Sequence, residues 1–334
     1  MRAYVLTRYG AADAMELRDV PAPEAGPGEV LIKVAAAGLN PVDYKLRQGG
    51  LKVIGRPKLP IVAGCDLAGT VEAVGPGASR FVVGERVYAR VEKLTLGAFA
   101  EFATVRENLV APMPHSVDFV EAAGLPLAGL TALQALREEL QIQPGTRLFI
   151  SGGAGGVGTL AIQLAKYLGA EVTTTASPRG DALVRQLGAD RVVDYTRENF
   201  ADVLSDYDAA LDLVGGGALE GIFRILKPGS KVVSIAGWPE PVTASKDLGR
   251  PGLLAVLFWI ISLPTRLRAR RSGTSYRYLF MHGSGDDLRF LATLVDDGHV
   301  RPIVDSTYPL DRIAEAFEAL EQGRAKGKIV ITML

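Results

Sequence analysis

Three glycines spaced as G-x-G-x-x-G, at positions 153, 155 and 158, form a turn that could hold a dinucleotide. The first glycine of such a turn permits the tight bend, the second lets backbone approach a pyrophosphate, and the third lets a helix pack close to a strand. The helix also offers its free N–H groups and positive dipole end to phosphates. We predict that a dinucleotide is bound by Gly153, Gly155, Gly156, Val157 and Gly158. The alternative is a packing turn without a ligand.

The residues after the next predicted strand indicate which dinucleotide binds. An NAD site usually places Asp or Glu there to hold the ribose 2′-OH, whereas this chain has Thr-Ala-Ser-Pro-Arg at 175–179. No carboxylate in that stretch repels a 2′-phosphate, and Ser177 and Arg179 can donate hydrogen bonds to one. We therefore predict NADP(H) as the cofactor. An ordinary surface turn with a solvated arginine is the alternative.

The glycine turn requires a strand before it and a helix after it. Residues 147–151 are apolar and β-prone, and Gly169 is predicted to end the following helix. The apolar positions of that helix recur at its period: 157, 160, 161, 164, 165 and 168. Beyond it, alternating patterns predict strands at 171–175, 191–193, 208–213 and 231–235. This alternation is typical of an α/β fold with a doubly wound parallel sheet, the Rossmann arrangement.

The first 120 residues have a different, β-rich pattern. Short apolar runs between Gly/Pro turns predict strands at 3–7, 30–36, 68–74, 85–91 and 99–105. Such spacing is typical of a compact β-barrel-like domain. A helix interrupted by Pro126 is predicted over 121–139. The C-terminal part is expected to return to the first domain, with helices at 287–298 and 311–323 and a strand at 328–332.

Composition limits the class of partner. The chain has 334 residues, enough for two domains, and its 37 Lys+Arg balance 37 Asp+Glu. This balance gives no overall attraction to nucleic acid or acidic membranes. The single cysteine, Cys65, cannot form an internal disulfide, and the N-terminus lacks the apolar core of a signal peptide. No apolar run reaches the roughly 20 residues that span a bilayer. We expect a soluble, cytoplasmic protein.

One segment, 244–281, is unusual. Residues 253–263, LLAVLFWIISL, are apolar all round, and Pro264 and the basic run RLRARR follow. At this length the pattern predicts a buried or interfacial helix rather than a membrane span. Three alternatives stay open: a helix packed over the substrate pocket, a contact between subunits, or a membrane-surface anchor at 253–271 with its arginines on lipid phosphates.

The order of motifs resembles that of the zinc-independent medium-chain dehydrogenase/reductase superfamily, in particular zeta-crystallin-type quinone oxidoreductases and plant alkenal/one oxidoreductases. The similarity covers nearly the whole chain, including GPGEVLIKVAAAGLNPVDYKLRQG at 26–49, AGCDLAGTVEAVGPG at 63–77, SGGAGGVGTLAIQLAK at 151–166 and GRAKGKIVI at 323–331. The resemblance implies a homodimer with a GroES-like β-barrel catalytic domain at 1–122, a Rossmann NADP-binding domain at 123–284 and a return to the catalytic domain at 285–334.

The resemblance also implies that no metal is used. Zinc-dependent members carry a cysteine where this sequence has Asn40, and a His–Glu pair where it has Cys65 and Asp66. One thiol without nearby histidines cannot assemble a Cys/His zinc site. Because no Lewis acid then polarises an alcohol or aldehyde oxygen, we expect hydride transfer to acceptors that are already electron-poor, namely quinones and α,β-unsaturated carbonyls.

By resemblance, the loop after the first long strand lies in the cleft facing the nicotinamide and supplies the candidate catalytic donors Asn40, Tyr44 and Lys45. Charge that develops on the substrate oxygen needs hydrogen-bond donors in a water-poor cleft. Tyr44 could donate to that oxygen, or protonate the α-carbon through water. The alternatives are that Asn40 caps the turn and Tyr44 packs in the cleft wall. Cys65 and Asp66 are expected to line the pocket without reacting.

Other cofactor contacts carry over by resemblance. Thr131 matches the family residue near the nicotinamide amide. Tyr195 matches the tyrosine that approaches the adenosine 2′-phosphate, with a core-edge tyrosine as the alternative. Val214 and Gly215 follow a strand that ends beside the cofactor. Lys328 either reaches the cofactor or is a solvated lysine at a strand edge.

The predicted function is an NADPH-dependent, zinc-free reductase of quinones or of enones and alkenals. A second hypothesis is an enoyl-thioester reductase, which the apolar helix at 253–263 would suit. A non-enzymatic hypothesis is an NADPH-binding sensor or structural protein.

Overall fold

The computed structural model describes residues 1–50, 55, 57–92 and 95–333. The predicted first and third domain segments each include residues that lie outside this described part, namely 51–54, 56, 93, 94 and 334. The strands are β1 (Arg2–Leu6), β2 (Met15–Asp19), β3 (Glu29–Leu39), β4 (Ile61–Val62), β5 (Asp66–Val74), β6 (Arg86–Arg90), β7 (Phe102–Arg106), β8 (Val110–Pro112), β9 (Arg147–Ile150), β10 (Glu171–Ala176), β11 (Arg191–Asp194), β12 (Tyr207–Asp212), β13 (Leu226–Ser234), β14 (Ser275–Tyr278), β15 (Val304–Pro309) and β16 (Lys328–Thr332).

The helices are α1 (Pro41–Arg47), α2 (Phe119–Ala123), α3 (Pro126–Leu133), α4 (Gly156–Tyr167), α5 (Pro178–Gln186), α6 (Phe200–Val203), α7 (Gly216–Ile225), α8 (Leu253–Ile261), α9 (Leu263–Arg271), α10 (Gly285–Asp296) and α11 (Ile313–Glu321). The predicted interruption at Pro126 is confirmed, because α2 ends at Ala123 and Pro126 begins α3. Gly169 follows the end of α4 with a φ of 86°, the left-handed conformation that suits glycine after a helix.

The contacts divide the chain into two units. Unit 1 comprises residues 1–130 and 283–334, and unit 2 comprises residues 131–282. The boundaries expected from the sequence lie after 122 and after 284.

Unit 2 is organised by a parallel sheet. Within 131–282, all of which are described, the strand order is β11-β10-β9-β12-β13-β14, and each neighbouring pair is parallel. The direction of winding reverses between β9 and β12, the kind of switch point at which open α/β sheets bind ligands. Beneath the sheet, Phe149 stacks on Phe200 at a centroid distance of 4.6 Å. The predicted doubly wound α/β sheet is confirmed.

Unit 1 is built mainly from antiparallel strands. β3 pairs with β5, β7 and β16, and β1 pairs with β2 and β4. Alternate residues of β3 are buried at Val30, Ile32 and Val34, as expected for a strand with one face on a core. The pairing of β16 with β3 puts Ile329 opposite Leu39. The chain therefore brings its last strand to the loop at residue 40.

The segment 244–281 differs from its predicted environment. The sequence predicts that the apolar helix is buried or interfacial. The prediction of a buried helix is wrong. Phe258 is the buried residue of α8, whereas Leu253 is 90% exposed. None of the helices in the described part of the chain combines the length and hydropathy needed to cross a bilayer. α8 therefore presents apolar side chains to solvent.

Candidate functional site

The three motif glycines of the turn between β9 and α4 differ in the space around them. A Cβ on Gly153 would overlap the Thr174 side chain, and one on Gly158 would lie 2.7 Å from the Cα of Gly153, so the protein's own packing closes both positions. At Gly155 the nearest atom to such a Cβ would be Gly152 O at 3.5 Å, an ordinary contact. The φ of Gly155, −78°, suits any residue. Neither packing nor backbone requires glycine there, and the dinucleotide motif places glycine at this position so that a ligand can approach the backbone.

The predicted cofactor residues Gly156 and Val157 lie in the first turn of α4, whose N-cap is Gly155. First-turn N–H groups have no intrahelical acceptors and carry the positive end of the helix dipole. A pyrophosphate therefore fits this turn by charge, by hydrogen bonding and by the space left at Gly155.

Asp212 organises the loop that follows β12. This fully buried carboxylate accepts hydrogen bonds from Ser151 Oγ at 3.0 Å, from Gly215 N at 2.9 Å and from Ser234 Oγ at 2.7 Å. The two serines follow or end the neighbouring strands β9 and β13. One carboxylate thus ties three strand ends together and holds Val214 and Gly215 at the switch point of the sheet.

The end of β10 offers donors to an anion. Ser177 is the N-cap of α5, and Arg179 is exposed in the first turn of this nine-residue helix. On the adjacent strand Asp194 is the register partner of Ala176, but its carboxylate accepts from Thr196 N at 2.9 Å and from Thr196 Oγ1 at 2.7 Å. A hydroxyl, a guanidinium and a helix N-terminus therefore lie at this strand end, and each of them can donate hydrogen bonds to a phosphate.

Two further predicted cofactor residues differ in exposure. Tyr195, directly after β11, is 60% exposed, so the alternative of a core-edge tyrosine is wrong. Thr131 lies in α3 and is buried. Its contact with the nicotinamide stays a prediction.

A second set of predicted residues meets inside unit 1. We call the following buried residues the lysine cluster: Asn40, Asp43, Cys65, Asp66 and Lys328. Lys328 Nζ donates to Leu39 O at 2.9 Å and to Asn40 Oδ1, and it lies 3.8 Å from Asp66 Oδ2. Asn40 Nδ2 donates to Asp66 Oδ2 at 2.9 Å. The alternative of a solvated Lys328 is therefore wrong.

Asp43 joins the cluster through the turn that begins α1. Asn40 N donates to Asp43 Oδ2 at 2.8 Å, and the Cys65 thiol donates to Asp43 Oδ1 at 3.4 Å. The backbone interaction is half of a capping box, and Pro41 at the first helical position is preorganised for the helix. Asn40 and Asp43 thus hold the start of α1 against β5.

Burial dominates the pKa values in the lysine cluster. Desolvation raises the pKa of Asp66 and lowers the pKa of Lys328, and their mutual attraction opposes both shifts. Both Asp66 oxygens accept N–H bonds, one from Asn40 and one from Leu127 N at 3.1 Å. This bonding matches a carboxylate beside an ammonium. Burial, with the nearby Asp43 carboxylate, raises the pKa of the Cys65 thiol well above its usual value, so the thiol stays protonated.

The stability of unit 1 is expected to depend on the protonation of Asp43. Desolvation raises the pKa of this carboxyl from 3.8 to about 7, Asp66 adds to the shift, and Asn40 N–H, Cys65 and Lys328 oppose it. Because the folded-state pKa lies above the unfolded one, the native state binds this proton more tightly. Its stabilisation is complete below the unfolded pKa and is lost as the pH rises through about 7. A shift of this size corresponds to at most about 4 kcal/mol.

The variant Asp43→Asn keeps the acceptor for Asn40 N and removes the titration. Relative to this variant, the wild-type free energy of unfolding should fall between about pH 5 and about pH 8, measured by chemical denaturation. Glu72→Gln, an exposed change on β5, should run parallel to wild type. Parallel pH profiles for wild type and Asp43→Asn would contradict the prediction.

The other two candidate donors lie on α1. Tyr44 is half-buried and packs partly against the core of unit 1, whereas Lys45 is exposed. Burial and the Glu321 carboxylate raise the pKa of the Tyr44 phenol, so its hydroxyl stays protonated and able to donate at neutral pH. An ion pair of 2.7 Å between Arg47 and Glu321 joins α1 to α11.

Two partnerships were not predicted from the sequence. One joins Lys328 to Asp66 and Asn40, and the other ties Ser151 and Ser234 to Asp212. The sequence contained one signal for each partnership. For Lys328 it was a lysine that begins the apolar run KIVI, and for Asp212 it was the serines placed at strand ends beside an aspartate.

Zinc does not fit the lysine cluster. The Cys65 thiol is protonated and donates to Asp43. The Asn40 amide donates to Asp66 through its nitrogen and accepts from Lys328 through its oxygen, so neither end is left to bind a metal. The Lys328 ammonium already supplies a positive charge 3.8 Å from Asp66. A divalent cation at the same carboxylate would be repelled by that ammonium, and the cluster offers a single thiol and no histidine to zinc, which prefers Cys and His ligands.

Two parts of the chain match models of known protein families. Residues 26–115 match the model of the alcohol dehydrogenase GroES-like domain, and residues 187–331 match that of zinc-binding dehydrogenases. The chain is 37% identical to the chloroplastic NADPH-dependent alkenal/one oxidoreductase of Arabidopsis thaliana and 36% identical to 2-methylene-furan-3-one reductase of Solanum lycopersicum; each alignment covers 99% of this chain and 79% of the relative.

A solved structure, the quinone oxidoreductase from Coxiella burnetii, is similar with a TM-score of 0.86 and 31% identity, covering 100% of this chain and 99% of that one. These similarities confirm the resemblance found from the motifs and the GroES-like part of the predicted fold.

Proposed function

Because the chain belongs to the medium-chain dehydrogenase/reductase family, of the quinone and alkenal/one oxidoreductase type, we propose that it is an NADPH-dependent reductase of quinones and α,β-unsaturated carbonyls that acts without zinc. The lysine cluster carries this proposal. It puts a lysine ammonium and an amide beside Asp66, among the residues that replace the zinc ligands of other members. Acceptors whose conjugation already makes them electron-poor do not need a Lewis acid.

In the proposed holoenzyme the pyrophosphate lies on Gly155 and the first turn of α4. Ser177 and Arg179 hold the 2′-phosphate, with Tyr195 beside it, and the loop of Val214 and Gly215 flanks the cofactor. The bound nicotinamide supplies the hydride. The support for this placement is the space at Gly155 and the donors at the end of β10.

The proposed catalytic donor is Tyr44. Hydride addition to a conjugated acceptor leaves negative charge on the carbonyl oxygen, and a protonated phenol can stabilise it. Lys45, exposed on the same helix, is a second candidate donor. Asn40 is assigned a positioning role, because its amide nitrogen already donates to Gly38 O at 3.2 Å and to Asp66 at 2.9 Å.

The variant Tyr44→Phe should lower kcat/KM for an enone by roughly 100-fold, the usual effect of losing one donor to a developing oxyanion. The ring is retained, so the melting temperature and the KM for NADPH should not change. Steady-state kinetics measure the effect, with Tyr308→Phe on β15 as the matched control. If the Tyr44→Phe variant keeps the full kcat/KM, the Tyr44 hydroxyl has no catalytic role and the ring only packs.

The variant Arg179→Ala should raise the KM for NADPH about tenfold and leave the KM for NADH unchanged, because only NADPH carries the phosphate that the guanidinium pairs with. Arg185→Ala, which removes an arginine of the same helix at the end away from the predicted phosphate site, is the matched control. A lower wild-type KM for NADH than for NADPH would remove the proposed cofactor preference.

NADPH consumption by metal-depleted protein tests the function itself. We expect turnover with a naphthoquinone or an alkenal and none with aliphatic alcohols. Efficient turnover restricted to an enoyl-CoA would favour the enoyl-thioester reductase. Tight NADPH binding without turnover on any substrate would favour a sensor or structural protein. Stoichiometric zinc in active protein would overturn the zinc-free mechanism.

We also propose a homodimer in a reducing compartment such as the cytoplasm. The family resemblance supports the dimer, and a single buried Cys65 thiol is compatible with a reducing environment. Sedimentation equilibrium and cell fractionation test the two parts.

A further inference from the structure

α8 and α9 form a nearly continuous helical segment, residues 253–271. Ser262 lies between them: its N–H donates to Phe258 O at 3.0 Å, and Arg266 N donates to Ser262 O at 2.9 Å, both in the helical pattern. At 1.5 Å per residue the segment is roughly 28 Å long. One stripe attaches it to unit 2, through the buried residues Phe258, Ser262, Thr265 and Ala269.

The opposite face of this segment is an exposed apolar stripe. Its residues recur at i, i+3, i+4 and i+7 along α8: Leu253, Val256, Leu257 and Ile260. The exposed fraction is 90% at Leu253 and 56% at Ile260, and Leu267 continues the stripe on α9. An apolar row of this length marks an interaction site, because isolated surface hydrophobics do not line up along one helix face.

Arginines gather at the C-terminal end of the same segment. Arg268, Arg270 and Arg271 are exposed, and the Arg266 guanidinium lies 6.0 Å from the ring centroid of Trp259, which is itself half-exposed. Arg268 pairs with Glu220 on α7. The sequence from 248 to 285 contains no Asp or Glu, so the charge of this stretch has a single sign.

We propose that residues 253–271 dock on the surface of an anionic lipid bilayer. The apolar stripe of α8 would lie at the boundary of headgroups and acyl chains, with Trp259 at the same level, and the arginines of α9 would contact lipid phosphates. Long arginine side chains can reach the phosphates while their stems stay on apolar surface. The inference does not rest on the proposed reductase activity.

Charge distinguishes a bilayer from a second copy of the chain. A two-fold contact buries the same surface of both copies, so it would bring Arg268, Arg270 and Arg271 of each copy into one interface, and the stretch from 248 to 285 supplies no carboxylate to pair with them. Like charges in an interface oppose association. An anionic bilayer has an apolar interior beneath a dense layer of phosphates. It therefore complements both the apolar stripe of α8 and the arginines of α9.

Co-sedimentation of the full chain with phosphatidylcholine vesicles, with and without phosphatidylglycerol, tests the proposal at low salt. Wild type should bind the anionic vesicles and not the neutral ones. The triple variant Arg268→Gln, Arg270→Gln, Arg271→Gln should bind on the order of 100-fold more weakly. The double variant Leu253→Ser, Ile260→Ser should bind at least about tenfold more weakly. These positions are exposed, and circular dichroism checks that the variants fold.

Two matched controls carry the same changes elsewhere. Arg197→Gln, Arg289→Gln, Arg312→Gln alters the net charge equally, and Val82→Ser, Val83→Ser removes two apolar side chains that are each 65% exposed. Both should bind as wild type does. The proposal is overturned by absent binding of wild type to anionic vesicles, or by equal loss in the control arginine variant. A wild-type dimer that Leu253→Ser, Ile260→Ser dissociates, without vesicle binding, would assign the stripe to a second copy. A chain that binds vesicles but reduces no substrate would refute the proposed reductase activity and leave the proposed docking on a bilayer standing.

Discussion

Replacing Lys328 by methionine is expected to destabilise the protein by about 3–5 kcal/mol, the usual result of removing one partner from a buried ion pair. The methionine fills a similar volume but leaves the buried Asp66 carboxylate without its ammonium, 3.8 Å away in the wild type. Leu39 O and Asn40 Oδ1 also lose their donor. Urea denaturation at neutral pH measures the loss.

A second substitution separates the charge effect from packing. Adding Asp66→Asn to Lys328→Met removes the uncompensated charge, so the double variant should recover part of the stability that the single variant loses. Lys33→Met, an exposed change on β3, is the matched control and should stay within about 0.5 kcal/mol of wild type. If Lys328→Met were as stable as wild type, the ammonium would not be holding the cluster together.

The variant Gly155→Ala is expected to weaken NADPH binding by roughly 10- to 100-fold while leaving the melting temperature unchanged. The added Cβ meets no protein atom closer than 3.5 Å, and the backbone already has a conformation that alanine adopts. The methyl group instead occupies the space in which backbone N–H groups would approach the pyrophosphate. Titration of protein fluorescence with NADPH, beside a thermal melt, measures both quantities.

Gly158→Ala gives the contrasting result. Its Cβ would press on the backbone of Gly152 and Gly153, which cannot yield as a flexible side chain would. We expect a loss of stability of about 1–3 kcal/mol, the range for overpacked positions, with a loss of binding that follows from the shifted helix. NADPH binding by Gly155→Ala at wild-type affinity would mean that no phosphate approaches that glycine.

Elements whose signals lie within a few residues could be predicted from the sequence. The strand, glycine turn and helix at 147–169 are predicted by local signals. Apolar residues recur at the period of a helix, glycines permit the tight turn, and Gly169 follows the last helical turn. The same reasoning holds for Pro126, which cannot continue α2 but suits the first turn of α3. Such features depend on backbone sterics and period, so no distant residue changes them.

Strands stabilised by distant neighbours were missed. β14 and β15 are short, mixed in polarity and only partly buried, so their sequences have no clear period of two. They form because β13 and β16 offer unpaired edges in register with them. The start of β7 was also predicted too early, since residues 99 and 100 run toward β1 instead.

The sequence by itself determined the strands and helices of the doubly wound sheet and the glycine turn, because these follow from residues close together in the chain, and the order of motifs along the whole chain indicated the family. Only the tertiary structure decided that Lys328, 288 positions from Asn40, lies buried against it. It also decided that the apolar helix at 253–261 is exposed rather than buried. Partners and burial depend on which distant segments come together, and the energies of buried charge and apolar surface are set by that assembly.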